Sequence, residues 1–280
     1  MSALTIGISP CPNDVYIFSG LILGHVEWDG PTLRFDFEDV ETCNQRVLRG
    51  EFDIAKISYG ALARVTDRYV PLDCGGALGR GVGPLLLRNG EARFDPEEEV
   101  LVPGEMTTAN FLLDFFAGRV LKKRYTTFDE VYRELCNRPG TQGVVIHEKR
   151  FTFERDGLTR LQDLGEHWEQ ETGAPIPLGV IVLRRELIRV RAALETAIRN
   201  SLSWADSHTK AALELCREHA QEMSDEVMLA HIRLYVNEFS RDSGVEGRRA
   251  VAAFLEQQAE QARRLNAEAT RQGRGIRSTE

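Results

Sequence analysis

Short apolar runs alternate with helix-periodic segments along the first part of the chain, and this alternation limits the possible folds more than any other feature. Residues 4–9 form an apolar run that ends in a Pro-Cys-Pro-Asn-Asp breaker, which predicts a strand and a turn. Helical spacing of apolar residues begins at Asn13 or Asp14, and either can cap a helix. Further elements are predicted at residues 32–37 (strand), 41–49 (helix) and 52–57 (strand). Such alternation is typical of a parallel α/β sheet.

A glycine-rich segment at residues 74–87 separates this series from a second one. Its glycines, followed by an apolar run, indicate a strand or bend where the chain prepares to leave the first domain. The second series has predicted strands and helices at residues 99–103, 107–118, near 125, 129–136 and 143–147. A strand-helix series of this length can form a small domain of its own.

The rest of the chain returns to the first domain and then becomes helical. Residues 177–183 form an apolar run that we interpret as a strand re-entering the first domain. Helices are predicted at residues 189–204, 209–219, 225–239 and 245–265. The expected organisation is a larger discontinuous α/β domain, residues 1–92 and 176–280, around an inserted smaller α/β domain at 93–175, with 266–280 as a frayed tail. Two lobes joined by two chain crossings indicate a cleft that closes around a small ligand.

The charge balance and the cysteines exclude several classes of protein. The 280 residues carry a formal net charge of −8, whereas nucleic acids and anionic membranes select clustered Lys and Arg. No apolar run approaches the roughly 18 residues that cross a bilayer, and the N-terminus lacks the regions of a signal peptide. The five cysteines are scattered without a CxxC pair, which favours reduced thiols. We therefore expect a cytoplasmic protein with a small-molecule partner and no membrane insertion; the oligomeric state stays open.

Polar residues follow the first predicted strand, and ligands of open α/β sheets bind at such strand ends. Ser9 and Asn13 could present a hydroxyl, an amide and helix N–H groups to a ligand. The alternative is a strand-to-helix turn in which the prolines fix φ and Asn13 or Asp14 caps the helix. One turn can serve both purposes. Cys11 as a nucleophile is the less favoured hypothesis, because cysteine is often simply a small buried residue.

Two further element ends carry candidate binding residues. Lys56, Ile57 and Ser58 end the third predicted strand, although Ser58 could be only a helix cap and Lys56 could face solvent. Thr107 and Thr108 open a helix of the inserted domain, where two hydroxyls and free N–H groups can seat a carboxylate or phosphate. A threonine cap with a neighbour explains that pair equally well.

His147 ends a buried-looking predicted strand that faces the expected cleft. A histidine there suits general-base work near neutral pH, although a lone histidine is more often structural. Glu148 would point to the opposite face of the strand and is the weaker candidate. None of the six histidines has HExxH or comparable spacing, so no metal site is expected. His231 and the other four histidines lie in predicted helices or turns, with no nearby residue at a spacing typical of a metal ligand or a catalytic partner.

The glycines at residues 75–83 do not form a nucleotide-binding motif. They lack the strand-turn-helix layout of a dinucleotide fingerprint, so we exclude a Rossmann or P-loop site. Arg80, within this run, could reach a substrate carboxylate, or it could be a solvated turn residue.

Several motifs together resemble one family. They are SPCPND, KISYGA, PGEMTTA, IHEKRFTF and DLGEHWE. In this order, over residues 5–239, the chain resembles the 1,4-dihydroxy-6-naphthoate synthases. The resemblance implies a two-lobed periplasmic-binding-protein-like fold, each lobe a sheet flanked by helices, with two interdomain crossings. It also implies a lyase of the futalosine route to menaquinone, converting cyclic dehypoxanthine futalosine to 1,4-dihydroxy-6-naphthoate and dihydroxyacetone without a metal or organic cofactor.

The same resemblance assigns roles to individual residues. It makes His147 the base, and it places Lys56, Ile57, Ser58, Thr107 and Thr108 against the substrate. Two alternatives remain. A chorismate dehydratase-like enzyme of the same pathway shares the architecture, and a solute-binding protein shares the fold but normally carries a leader sequence. The IHE and GALGRGVGP segments favour the synthase.

Overall fold

Two mixed β-sheets flanked by helices form the framework of the molecule. The computed structural model describes residues 3–220 and 224–271. The strands are β1 Leu4–Ile8, β2 Leu33–Phe37, β3 Ile54–Ser58, β4 Tyr69–Pro71, β5 Ala77–Gly79, β6 Leu85–Arg88, β7 Val100–Val102, β8 Lys123–Tyr125, β9 Gln142–Val145, β10 Thr159–Asp163 and β11 Ile176–Arg184. The helices are α1 Pro12–Ile22, α2 Val40–Leu48, α3 Tyr59–Leu62, α4 Thr108–Ala117, α5 Phe128–Asn137, α6 Leu164–Thr172, α7 Arg191–Ser207, α8 Thr209–His219, α9 Asp225–Tyr235, α10 Glu238–Arg241 and α11 Gly244–Arg271. Two 3₁₀ turns are His147–Phe151 and Arg185–Val190.

The first sheet has the order β2-β1-β3-β11-β4, and β5 also pairs with β11. β1 runs parallel to β2 and β3, whereas β11 is antiparallel to β3 and β4. All five residues of β3 are buried, because Ile54 packs into the core on one face and Ile57 into the core on the other. The central position of β11 confirms that the chain re-enters the first sheet as predicted.

The second sheet has the order β10-β6-β9-β7-β8. β6 is antiparallel to β9 and β10, so it belongs to this sheet. The predicted domain boundary at residue 93 is therefore wrong for β6, because it places this strand in the larger domain rather than in the inserted one. β4, β10 and α6 are elements that the sequence analysis misses; β10 reads TRLQD and has no apolar alternation to mark it. The chain crosses between the sheets after β5 and again between α6 and β11.

Two predictions at helix ends are wrong. α1 begins at Pro12 with Cys11 at the N-cap position, and neither Asn13 nor Asp14 caps it. Proline suits the first helical position because the N–H that it lacks has no acceptor there, and this leaves the two polar side chains for contacts elsewhere. At the other end of the chain, α11 continues to Arg271, so the first part of the expected frayed tail is helical. Residues 272–280 lie outside the described residues.

The C-terminal helix α11 packs against elements of both sheets. The ring of Phe254 meets Phe111 of α4 at 4.5 Å and Tyr59 of α3 at 6.3 Å between centroids. Gln258 Nε2 donates a hydrogen bond to the carbonyl of Gly60 at 2.8 Å. Because α3 follows the first sheet and α4 flanks the second, α11 braces the two halves of the molecule against each other. In the described residues, no helix combines the length and apolarity needed to span a membrane.

Gly60 lies where α3 meets the start of α4, and this close approach leaves no room for a side chain. A Cβ at Gly60 would lie 2.7 Å from the carbonyl oxygens of Met106 and Thr107. We expect Gly60→Ala to lower the free energy of unfolding by about 1–3 kcal/mol, because the two backbones must separate. Chemical denaturation measures this change. Gly179→Ala is the control, since its nearest neighbour is Cε of Lys56 at 3.5 Å. Equal stability of both variants would contradict the close contact.

Candidate active site

One cavity lies between the two sheets and collects polar residues from both. It encloses about 680 Å³ of space free of protein atoms, including the open space at its mouth. Its walls come from the ends of β1 and β3, the first turn of α4, the turn after β9, and α9. The predicted site residues that line it are Ser9, Asn13, Lys56, Ile57, Ser58, Thr107, Thr108 and His147. Candidates from the larger domain and the inserted domain thus share one cavity.

Arg80 is the exception among the predicted site residues. Its exposed side chain donates a hydrogen bond to the carbonyl of Gly173 and forms an ion pair with Glu246 at 3.2 Å. The turn after β5 places the guanidinium against the end of α6 and the start of α11, outside the cavity. The solvated-turn interpretation fits this position, and contact with a substrate carboxylate does not.

The carboxylate of Asp14 organises the wall that follows β1. Its Oδ2 accepts a hydrogen bond from the hydroxyl of Ser9 at 2.7 Å, and its Oδ1 accepts one from the amide of Asn13 at 2.7 Å. Nζ of Lys56 lies 2.5 Å from Oδ1, but the contact is an ion pair without hydrogen-bond geometry. The Lys56 ammonium is buried and carries three N–H groups, of which this ion pair engages at most one, and no further acceptor for it is found among the described residues. A buried cation with open donors suits an anionic group of a ligand.

His231 is a cavity residue that the sequence analysis misses. Its Nε2 lies 2.9 Å from Oδ1 of Asn13. Since the Asn13 amide nitrogen donates to Asp14, Oδ1 faces the imidazole and Nε2 carries the proton. Burial lowers the pKa of His231 well below 6.5, which keeps the ring neutral. Nothing in the sequence signals this contact, because 218 positions separate the two residues.

His147 lies at the start of a 3₁₀ turn rather than in a strand, because β9 stops at Val145. Its φ of 60° is the only positive φ of a non-glycine residue in the described ranges, and such strained backbone is common at functional sites. The ring of Phe128 packs edge-on at 5.0 Å, and Nδ1 lies 3.3 Å from Sγ of Cys11. Burial lowers the pKa of His147, although Glu148 opposes that shift. The imidazole is therefore a neutral and well-oriented candidate base.

A second cavity adjoins the first at His147. Both cavities are lined by Ser9, Val40 and His147. Glu148 lines the second cavity and is only 7% exposed. The expectation that it points to the opposite face of a strand is wrong, because the chain has already turned at this position. His147 thus stands between two chambers and can contact a ligand that extends from one into the other.

The first turn of α4 can seat an anion, but its two hydroxyls are already used. Oγ1 of Thr107 accepts a hydrogen bond from the N–H of Asn110 at 3.1 Å and donates one to the carbonyl of Gly104 at 3.0 Å. Oγ1 of Thr108 donates to the carbonyl of Leu178 at 3.0 Å. Each hydroxyl has a single proton, so neither has another to offer. Thr107 takes up the N–H of Asn110, so the N–H groups of Thr108 and Ala109 are the first-turn donors left for a ligand.

The other polar groups of the cavity are hydrogen-bonding groups rather than a metal-binding cluster. Ser58 precedes α3 but does not cap it through its side chain. Its N–H donates to Oδ1 of Asn44 at 2.9 Å, and its Oγ accepts from Nδ2 of the same amide at 3.4 Å. Within residues 3–220 and 224–271, no three His, Cys, Asp or Glu side chains are grouped as a metal site requires.

Comparison with proteins of known sequence gives a family. A family model described as menaquinone biosynthesis matches residues 4–260. The chain is 46% identical over 256 residues to a 1,4-dihydroxy-6-naphthoate synthase of Thermus thermophilus, covering 91% of this chain and 93% of that protein. It is 42% identical over 259 residues to the synthase of the same name from Streptomyces coelicolor, covering 90% and 91% of the two chains.

Comparison with solved structures gives the fold. A protein of Archaeoglobus fulgidus superposes with a TM-score of 0.86 at 26% identity, covering 93% of this chain and 97% of that one. The periplasmic aliphatic sulphonate binding protein of Escherichia coli superposes with a TM-score of 0.64 at 12% identity, covering 93% and 86%. These likenesses confirm the predicted periplasmic-binding-protein-like fold. With the family model and both relatives in agreement, this chain belongs to the menaquinone-biosynthesis family that includes the 1,4-dihydroxy-6-naphthoate synthases.

Proposed function

We propose that this protein is a lyase that converts cyclic dehypoxanthine futalosine into 1,4-dihydroxy-6-naphthoate and dihydroxyacetone. The observation that carries the proposal is the single cavity in which His147, Lys56 and the first turn of α4 meet. Relatives at 46% and 42% identity are synthases of this product. We also propose a cytoplasmic location, because the cysteines of the chain are free thiols, as a reducing compartment favours.

The cavity suits a ring system that carries a carboxylate. Val40, Val82 and Leu178 provide apolar walls against which a flat ring packs. The open N–H groups at the start of α4 and the ammonium of Lys56 hold the carboxylate by charge-assisted hydrogen bonds. This arrangement explains how an acidic protein binds an anionic substrate: the positive groups are few, buried and local.

His147 acts as the general base in this proposal. A substrate C–H bond breaks, its proton forms an N–H bond on the imidazole, and the electron pair stays on the substrate to drive the loss of the three-carbon unit. Formation of an aromatic ring favours this direction. A neutral imidazole is required for the step, and burial of His147 supplies it by lowering its pKa. Enclosure between the two sheets keeps water from the reacting atoms.

The direct test is to incubate the purified protein with cyclic dehypoxanthine futalosine, and in parallel with chorismate, in buffer containing EDTA. We expect mass spectrometry to show naphthoate and dihydroxyacetone in equal amounts from the first compound and no change in the second. Dehydration of chorismate would replace the proposal with the dehydratase alternative. Binding of either compound without turnover would favour a solute-binding protein.

We expect His147→Asn to bind substrate with nearly normal KM and to lower kcat by about 10²-fold or more, the usual scale for loss of a general base. Asparagine tolerates the positive φ of this position, so the variant should fold. Steady-state kinetics measures both constants, and His25→Asn, on the exposed surface, is the matched control. Normal turnover by His147→Asn would show that another residue is the base.

The pH dependence of the wild-type enzyme follows from the same assignment. Protonation removes the lone pair of His147, so kcat/KM falls as the pH drops through the pKa of this residue. Burial lowers that pKa below its ordinary 6.5, so activity should persist to a lower pH than an exposed histidine allows. A pH profile of kcat/KM measures the midpoint, and a midpoint above pH 6.5 would contradict the assignment.

We expect Thr108→Val to raise KM by about 10-fold or more with a smaller effect on kcat. The hydroxyl of Thr108 anchors the first turn of α4 by donating to Leu178 and by accepting from the N–H of Gly60 at 3.2 Å. Without this anchor the N–H groups shift away from the substrate carboxylate, and one hydrogen bond to a charged group is worth about 1.5–3 kcal/mol. Thr108→Ser keeps both bonds and should keep KM. Equal KM values for the valine and serine variants would refute the proposal that the first turn of α4 binds the substrate carboxylate.

A further inference from the structure

A buried thiol lies against the candidate base. Sγ of Cys11 is 3.3 Å from Nδ1 of His147, although 136 positions separate the two residues. Cys11 follows β1 as the N-cap residue of α1 and is 8% exposed. It is therefore held by the first sheet, whereas His147 follows a strand of the second. This contact joins the two sides of the cavity at the reacting residue.

The thiol is not placed to be a nucleophile. Burial, with a further contribution from the charge of Asp14, raises the pKa of Cys11 far above its ordinary value. A thiol under these conditions stays protonated, whereas catalytic cysteines lie in surroundings that favour the thiolate. The function of the contact must therefore come from a neutral sulfur, which accepts or donates a hydrogen bond weakly.

We propose that Cys11 is a positioning residue whose sulfur accepts a hydrogen bond from Nδ1–H of His147 and so leaves the lone pair on Nε2 for the substrate. The inference rests on the proposed function in one respect, the role of His147 as base. In an imidazole, the partner of one nitrogen decides which nitrogen carries the proton. Nδ1 already has Cys11 as its hydrogen-bond partner, which makes Nε2 the nitrogen that can serve the substrate. The edge-on ring of Phe128 limits rotation away from this arrangement.

A sulfur partner also suits the charges around the ring. Four carboxylates act on His147 from the elements packed around it, and a second imidazole lies 6.3 Å away between centroids. These groups are Asp14 of α1, Asp39 before α2, Asp129 of α5, Glu148 of the 3₁₀ turn and His231 of α9. A carboxylate at position 11 would stabilise the imidazolium further and protonate the base. A neutral sulfur orients the ring without adding charge.

The variants Cys11→Ala and Cys11→Ser test the proposal in the full-length protein, with Cys74→Ala as a control. Cys74 is another buried thiol, and it contacts the carbonyl of Glu195 away from the cavity. We expect Cys11→Ala to lower kcat by about 10-fold or more with little change in KM, the scale of the loss when a metal-ligating histidine is deprived of the partner that orients it. Cys11→Ser should keep most of kcat. Its hydroxyl oxygen is the stronger acceptor, so the acidic limb of the pH profile should move to higher pH. Cys74→Ala should match the wild type.

Several outcomes would overturn the proposal. Normal kcat and an unchanged pH profile in Cys11→Ala would show that the contact is only packing. Equal loss of activity in folded alanine and serine variants would show that the thiol itself takes part in the chemistry.

A measurement on the unmodified protein does not depend on how the variants fold or on the substrate. Nitrogen-15 NMR of the His147 ring above its pKa should show the proton on Nδ1. A proton on Nε2 would overturn the proposal even in an active enzyme, whereas the expected tautomer in a protein without lyase activity would leave the positioning contact standing and remove only the proposed function.

Discussion

The ion pair between Lys56 and Asp14 is the contact on which the cavity wall depends. Both side chains are buried, and a buried ammonium without a counterion costs several kcal/mol in desolvation. The pair joins β3 to α1, the helix that follows the neighbouring strand β1. Its carboxylate also orients Ser9 and Asn13, and through Asn13 it fixes the tautomer of His231 on α9. One carboxylate thus connects three separate elements, and its loss would leave a buried charge as well as two unpaired polar groups.

The two imidazoles of the cavity have different surroundings and different capacities for a proton. Burial lowers the pKa of both His147 and His231, and for His231 a charge on His147 lowers the pKa further. The carboxylates near His147 act in the opposite direction. A positive charge on one ring therefore disfavours a positive charge on the other, and the carboxylates make His147 the favoured ring for an added proton. His231 stays neutral, with its Nε2–H donated to Asn13, and adds polarity to the cavity without competing for the added proton.

Much of the fold and part of the site are predictable from local signals in the sequence. Apolar runs and helical periodicity are enough to place β1, β3 and α1, because a buried parallel sheet needs continuous apolar strands. Lys56 and His147 can be selected because they stand where strands end, and this fold class binds its ligands there. Their partners cannot be selected in this way. The contacts of Cys11 with His147 and of Asn13 with His231 join residues 136 and 218 positions apart, so only the tertiary structure brings them together.

The position of β11 has a consequence for the order in which the molecule is built. This strand lies between β3 and β4 in the first sheet, yet it follows every strand of the second sheet in the chain. During synthesis, the first sheet therefore waits as three separate parts, β2-β1-β3, β4 and β5, until residue 184 has left the ribosome, whereas the second sheet already has all its strands. The second sheet, whose first strand is made later, is thus the first that can be completed. Until β11 emerges, β3 stays unpaired along the edge that β11 will occupy. Exposed strand edges invite association between chains, so the interval before β11 emerges is the period in which this protein is most exposed to misassembly.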